Sequence, residues 1–398
     1  MKILLYTICY LFYPLSFLFY RKKNRYAFGS FRGSFNDNAK YLFIYVSTQY
    51  PAHIDVAWIS QNKETVRRVR SCGLKAYSVF SIRGAWHALT SRYWFFNSYT
   101  SDIMYCLSGG AVCINLWHGV GLKRIEYNIT SGTLAKRYNK TDLMDVYCHP
   151  ESFRKPDFFV SSTPFQTTLF SSSFRIPKER CLEFGYSRNE ILTQPDSDRM
   201  AFIKRYESND VIELLERMKR YKKALIYMPT WRDSQRNIFV QGMDLERLNK
   251  LLANNNHVML LKPHSNVVIN DSVRALSNII LLDGKMDIYP ILPYTDVLIT
   301  DYASVLYDYL LMPDKDVILY LYDYKEYVAE RDFYYPYDEN VVGQKVYSFD
   351  ELLQLIASDN YKLNSIERQD IVDRFWGETV GYDSRVKLLD FVENLKNN

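Results

Sequence analysis

His118 and His264 are the residues best suited to move a proton near neutral pH, and each stands just behind a short apolar run. Ile114-Asn115-Leu116-Trp117 precedes the first, and Val258-Met259-Leu260-Leu261-Lys262-Pro263 the second; a third run, Asp296 to Ile299, ends in Thr300-Asp301-Tyr302-Ala303-Ser304. Reactive residues gathered where strands stop are what an open α/β sheet presents at its ligand crevice. A neutral imidazole at His118, flanked by Gly119 and Gly121 and followed by Lys123, can take a proton from a hydroxyl, or it can simply bond backbone in a tight turn. Lys262 and His264 put two potential cations at one strand end, which suits phosphate oxygens and equally suits a solvated loop. Pro229-Thr230-Trp231-Arg232-Asp233 adds a guanidinium, free to grip phosphate bidentately or to pair with Asp233. The Thr300 to Ser304 segment opens a helix whose free amides favour an anion, and capping by Asp301 explains the same composition.

The elements that must position these residues read as strands alternating with helices, the pattern of crossover units on parallel sheets. In the first half, strands are expected at Asp55 to Ser60, Lys75 to Phe80, Tyr93 to Phe96 and Val112 to Leu116, with helices at Asp37 to Val46 and Asn62 to Cys72. The polar stretch Lys123 to Pro156 reads as a boundary. Beyond it, strands are expected at Asp157 to Val160, Ala224 to Tyr227, His257 to Leu261, Ile279 to Leu282, Asp296 to Thr300 and Val317 to Leu321. Helical patterns at Asp198 to Arg220, Asp244 to Ala253 and Ala303 to Leu311 fall between them, and Ile366 to Leu395 is helical to the end. With 398 residues the chain exceeds what one core usually serves. We therefore expect two doubly wound halves facing a cleft, divided as residues 25–155 and 156–365, with 366–398 packing back on the first half.

Ile3 to Tyr20 is almost continuously apolar and is followed by Arg21-Lys22-Lys23-Asn24-Arg25. The pattern points to a membrane-associating helix over residues 1–24, spanning or lying on the bilayer, with the basic cluster against anionic headgroups on the cytoplasmic face. A buried first core helix is the other reading. The six cysteines lack paired spacing, so they read as reduced thiols. No Walker loop, G-x-G-x-x-G or metal-ligand spacing occurs, and neither a metal nor a resident cofactor is expected. A net charge of +5 is too small, without a recognised module, to favour nucleic acid.

Taken in order, these motifs resemble those of the CDP-glycerol glycerophosphotransferase family of teichoic acid and capsule synthesis. The likeness runs through Gly29-Ser30-Phe31-Arg32-Gly33 with Asp37-Asn38-Ala39-Lys40-Tyr41-Leu42, through Trp117-His118-Gly119 with Leu122-Lys123, and through Pro229 to Asp233. It continues in Lys262-Pro263-His264, Asp296 to Asp308 and Phe333-Tyr334. The resemblance implies a GT-B fold, monotopic membrane association, and transfer of an alditol phosphate from CDP-glycerol or CDP-ribitol to a polyprenyl-linked acceptor. It makes His118 the base and His264 a second essential histidine near the donor diphosphate. Lys123, Thr230, Arg232, Lys262, Thr300, Asp301 and Ser304 complete the candidate substrate-binding set. Val120-Gly121, Lys262, Ala303 and Asn340-Val341-Val342-Gly343 depart from the family pattern, which bears on donor and acceptor identity. A nucleotide-sugar glycosyltransferase and a silent membrane scaffold are the rival readings.

Overall fold

In a computed structural model of the chain, residues 2–50, 53–230, 243–263, 275–330 and 333–397 are described. They form two compact units, Met1–Glu190 with Phe375–Asn398, and Ile191–Arg374. Each is built on one parallel sheet.

The first sheet holds β1 (Lys22–Phe28), β2 (Asp55–Ser60), β3 (Ala76–Ser78), β4 (Ser91–Phe96), β5 (Val112–Asn115), β6 (Phe158–Ser161) and β7 (Cys181–Glu183) in the order β3-β2-β1-β4-β5-β6-β7. The second holds β8 (Lys223–Tyr227), β9 (His257–Leu261), β10 (Ile279–Leu281), β11 (Val297–Thr300), β12 (Asp316–Tyr320) and β13 (Gln344–Val346) in the order β10-β9-β8-β11-β12-β13. Strands covered on both faces are apolar throughout rather than alternating, and β9 and β11 are buried at every position. Such runs are visible in sequence. Strand direction then fixes a further point: in each sheet the chain first winds outward to one side and then to the other. The winding reverses between β1 and β4 in the first sheet and between β8 and β11 in the second.

The structure redraws the expected division. The strand expected at Asp157 to Val160 belongs to the first sheet, where Phe158 and Phe159 pair with Ile114 and Asn115, so a cut at 155/156 would separate β5 from its neighbour. The polar stretch before it is short helices, Gly132–Tyr138 and Leu143–Tyr147, not a linker. The expected helix over Asp198 to Arg220 is two, Asp196–Tyr206 and Asn209–Met218, and the terminal one is Ser365–Phe375 and Ser384–Asn397.

The amino-terminal basic run also changes meaning. Lys22 to Arg25 open β1, paired with β2 and β4, and Arg21 is buried. Its guanidinium donates to the carbonyls of Gly109 (2.9 Å), Ala88 (3.0 Å), Ser91 (2.9 Å) and Leu107 (2.7 Å). A side chain so engaged cannot reach a headgroup; Lys22 and Lys23 remain exposed. The helix Lys2–Leu15 precedes them, and no described helix is long and apolar enough to cross a membrane.

Candidate functional site

Ligands of doubly wound sheets bind outside the carboxyl ends of the strands where the winding reverses. In the first unit that point lies past Phe28 and Phe96, and the next strand, β5, delivers His118 to it. Gly29 donates its amide to the Phe95 carbonyl (3.1 Å), and a Cβ there would sit 2.7 Å from the Asp102 carbonyl and 2.6 Å from Ile103 Cγ1. Only glycine leaves room for the Asp102–Ile103 turn against the end of β1.

Asn97, one residue past β4, ties the pieces together. Its side-chain oxygen accepts from the Ala39 amide (2.9 Å) and its Nδ2 donates to Ser30 Oγ (2.8 Å). The buried Asp102 carboxylate accepts the amides of Asn97 (3.1 Å) and Ser98 (2.8 Å). Burial pushes its pKa up to about 7 against those bonds. Asn38 clamps the loop after β5: Nδ2 donates to the carbonyls of Leu116 (3.2 Å) and Trp117 (2.9 Å), while Oδ1 accepts from the Arg188 amide (3.1 Å). The clamp is needed because Trp117 holds φ 53°, a left-handed conformation costly for an aromatic residue, and Gly119 holds φ 141°.

His118 sits in this frame with its ring against Trp117, centroids 4.0 Å apart, and its Nδ1 3.3 Å from the Asn97 carbonyl. A carbonyl only accepts, so Nδ1 carries the hydrogen and the lone pair of the neutral ring is on Nε2. Desolvation by the surrounding protein lowers the imidazole pKa, aided by Arg188 and opposed by Asp37 and the Asn97 bond. The residue nonetheless remains exposed to solvent, which limits the lowering. The product is a histidine mostly neutral at pH 7, with an unprotonated nitrogen free to take a proton from a hydroxyl. Lys123, half-buried, follows a backbone turn that Gln166 grips at both the Gly121 amide (2.7 Å) and carbonyl (3.1 Å).

In the second unit the reversal lies past β8 and β11, and three expected residues meet there. The Thr230 amide donates to Asp301 Oδ1 (2.8 Å), which also accepts from the Tyr302 amide (2.5 Å), and Thr300 Oγ1 donates to the Met228 carbonyl (2.7 Å). Thr300 and Asp301 are buried and spend these groups on bracing the two strand ends. Lys262, at the end of β9, turns its amine to the carbonyls of Asp283 (2.9 Å) and Gly284 (2.7 Å), and burial lowers its pKa to about 8. Ser304 is half-buried and begins a helix, Val305–Tyr309, without capping it through its side chain. That helix has five residues, too short for a strong dipole at its amino end. Tyr302 stacks on Tyr327 (3.9 Å), and Tyr337 donates to the Asp301 carbonyl (2.9 Å), backing the loop with aromatic rings. Arg232 and His264 lie outside the described residues. No group of three or more His, Cys, Asp or Glu side chains able to hold a metal occurs among the described residues.

Asn97, Asp102 and Arg188 were not singled out in the sequence, Asn38 entered only as a motif letter, and Asp37 only as that and as the start of an expected helix. Asn97 alone offered a signal, standing directly behind an apolar run as His118 does.

The family model for CDP-glycerol:poly(glycerophosphate) glycerophosphotransferases matches residues 11–392. The teichoic acid glycerol-phosphate transferase of Staphylococcus aureus (strain NCTC 8325 / PS 47) is 28% identical over 342 residues, 81% of this chain and 80% of that protein. A teichoic acid poly(glycerol phosphate) polymerase of Staphylococcus epidermidis is 26% identical over 340 residues, of which 81% of this chain but only 44% of the longer relative is covered. Among solved structures, the wall teichoic acid polymerase TagF superposes with a TM-score of 0.72 at 24% identity, covering 94% of this chain and 91% of the other. At that identity the likeness shows the fold.

Proposed function

The chain belongs to the CDP-glycerol:poly(glycerophosphate) glycerophosphotransferase family, and from that premise we propose that it transfers glycerol phosphate from CDP-glycerol to a hydroxyl of a polyprenyl-linked acceptor. His118 Nε2 takes the hydroxyl proton, the acceptor oxygen attacks the β-phosphorus, and the bond to CMP breaks as the phosphodiester forms. The observation that carries this reading is the His118 ring, with Nδ1 committed to a carbonyl and Nε2 left as the base. General-base help is worth about two to four powers of ten, and the rest comes from positioning and from charge stabilisation at the diphosphate.

Donor binding falls to the second unit in this reading. Thr230, Thr300 and Asp301 shape the strand-end backbone, Ser304 offers its hydroxyl, and Arg232, Lys262 and His264 supply cationic or polar groups for phosphate. CDP-glycerol is a co-substrate, and no resident cofactor is invoked.

We also place the protein on the cytoplasmic face of the cell membrane, held by its amino-terminal region. The support is an apolar surface on the first unit: Leu18 is 80% exposed and Ile82 91%, and Phe19 meets Trp86 edge to face at 6.1 Å, joining the two stretches. Exposed Lys22 and Lys23 follow directly. A patch of this kind is costly in water and suits an interfacial anchor.

The test is incubation of the protein with CDP-glycerol, or with CDP-ribitol as comparator, on a polyprenyl-linked saccharide, followed by mass analysis. Added glycerol phosphate with matching CMP release is expected, and one unit or a ladder separates priming from polymerisation. A sugar-linked product, or no CMP release with any CDP-alcohol, overturns the assignment. His118→Asn should release CMP at least a hundredfold more slowly.

A further inference from the structure

Two oppositely charged side chains that the motif reading left without a role meet at the His118 loop. Arg188, which follows β7, is almost wholly enclosed, with 3% of its side chain exposed. One nitrogen, Nη1, donates both to Asp37 Oδ1 (2.7 Å) and to the carbonyl of His118 itself (2.8 Å). Asp37 opens the helix Asp37–Gln49 at φ 61°, an unusual left-handed position for a helix's first residue, and gives its Oδ1 to the Asn38 amide (2.8 Å) as well. The pair is therefore fastened to the backbone of both His118 and Asn38, the two residues that define the loop. Enclosing a guanidinium is costly unless its donors are met, and here the Asp37 carboxylate and the His118 carbonyl accept from it.

We propose that Arg188 and Asp37 are paired positioning residues for His118: Arg188 anchors the loop through the His118 carbonyl, Asp37 holds the guanidinium and the Asn38 amide in place, and the two opposite charges are kept together at the loop so that neither acts alone on the imidazole. This rests on the reading of His118 as the base. Because His118 feels both charges, with Asp37 favouring the protonated ring and Arg188 disfavouring it, removing either leaves the other unbalanced. The ring also meets the Asn97 carbonyl and the Trp117 indole, neither of which titrates, and on its own segment the nearest ionisable residues along the chain are Lys123 and Arg124.

The sign is definite. Activity rises with pH as the base loses its proton, so the acid limb of kcat/KM for CMP release tracks the imidazole in the free protein. Asp37→Asn should move that limb down by about half to one pH unit, and Arg188→Met should move it up by less, as expected for one charge beside a solvent-open ring when the carboxylate acts on it more strongly than the guanidinium. The double variant should bring the limb back toward the wild-type position from that of Asp37→Asn while its rate stays low, because the anchor on the His118 carbonyl is still missing. Arg188→Lys should leave the limb in place and recover part of the rate. Folding of each variant is checked by its thermal transition; should Arg188→Met fail to fold, Asp37→Asn and Arg188→Lys decide alone. A limb that stays put in Asp37→Asn, or that moves the same way in both single variants, overturns the proposal. If His118→Asn retains wild-type CMP release, the base assignment itself has failed, and the two failures are thereby distinguished.

Discussion

Replacing Asn38 by alanine tests whether the His118 loop is held or merely rests in its observed shape. The side chain is buried and makes three hydrogen bonds to main chain, at 3.2, 2.9 and 3.1 Å. At about 1 kcal/mol net for each, their loss costs about 3 kcal/mol. For a unit of this size that lowers the melting temperature by about 6–12 °C. The catalytic consequence is separable. Two of the three bonds go to the carbonyls of the peptide units on either side of the Trp117 Cα, and the Trp117 backbone carries left-handed strain of about 1–2 kcal/mol. While the clamp exceeds the strain the loop stays put; without it, relaxation of that strain shifts the population by about five- to thirtyfold away from the competent shape. Steady-state CMP release should therefore show kcat down by that factor or more, with the KM for the CDP-alditol nearly unchanged, since Asn38 and its partners all belong to the first unit. A variant that melts lower but turns over within twofold of wild type would refute the reasoning: Asn38 would then stabilise the unit and leave the loop to be shaped by something else.

Three further outcomes follow from particular contacts. Gly29→Ala should destabilise by about 1–3 kcal/mol and reduce turnover, because the added methyl meets the Asp102 backbone at 2.7 Å and cannot swing aside; calorimetry and CMP release check it, and an unchanged melting point denies the close approach. Glu126→Gln should flatten the pH dependence of stability: burial raises the Glu126 pKa to about 7, against Tyr99, whose hydroxyl donates to it at 2.7 Å. Because the folded form binds the proton more tightly than the unfolded chain, that contribution is complete below about pH 4.5 and is lost as pH rises through 7, so the variant should gain about 3 kcal/mol over wild type at pH 8 and almost nothing at pH 4 in denaturant titrations. Asp301→Ala leaves the Thr230 and Tyr302 amides without their acceptor and should raise the KM for the CDP-alditol about tenfold or more while the acceptor KM holds; the reverse pattern would detach this loop from the donor.

What was legible in the chain divides by whether the signal is local. β2 was read to the residue and β9 likewise, because a strand covered on both faces is a bounded apolar run wherever it occurs. β1 was missed for the opposite reason: Lys22 to Asn24 are exposed, so only Tyr26 to Phe28 carry the apolar signal, and the basic residues beside an aromatic stretch looked like a membrane flank. β7 and β13 were missed because each carries a charged residue, Glu183 and Lys345, in only three positions, and so lacks the apolar run that marks the equally short β10. Which sheet a parallel strand joins is not written in its own pattern at all. Phe158 to Ser161 reads the same in either unit, and only pairing with Ile114 and Asn115 decides.

The site divides along the same line, and the division says where its chemistry resides. His118, Thr230, Thr300 and Asp301 were visible because each follows an apolar run, a property of neighbours in sequence. What makes His118 a base is supplied from elsewhere: the Asn97 carbonyl is 21 residues away, the Asn38 clamp 78 and 79 residues from its carbonyls, and the Arg188 guanidinium 70 residues from the His118 carbonyl. A histidine after a strand is common, and its tautomer is set by whichever atom meets Nδ1. That atom is brought there by winding the sheet back between β1 and β4, so that the ends of two strands distant in sequence stand beside the end of β5. The same reversal between β8 and β11 brings Thr230 to Asp301 across 71 residues. The residue types offer the chemistry, and the topology selects the protonation state in which it can run.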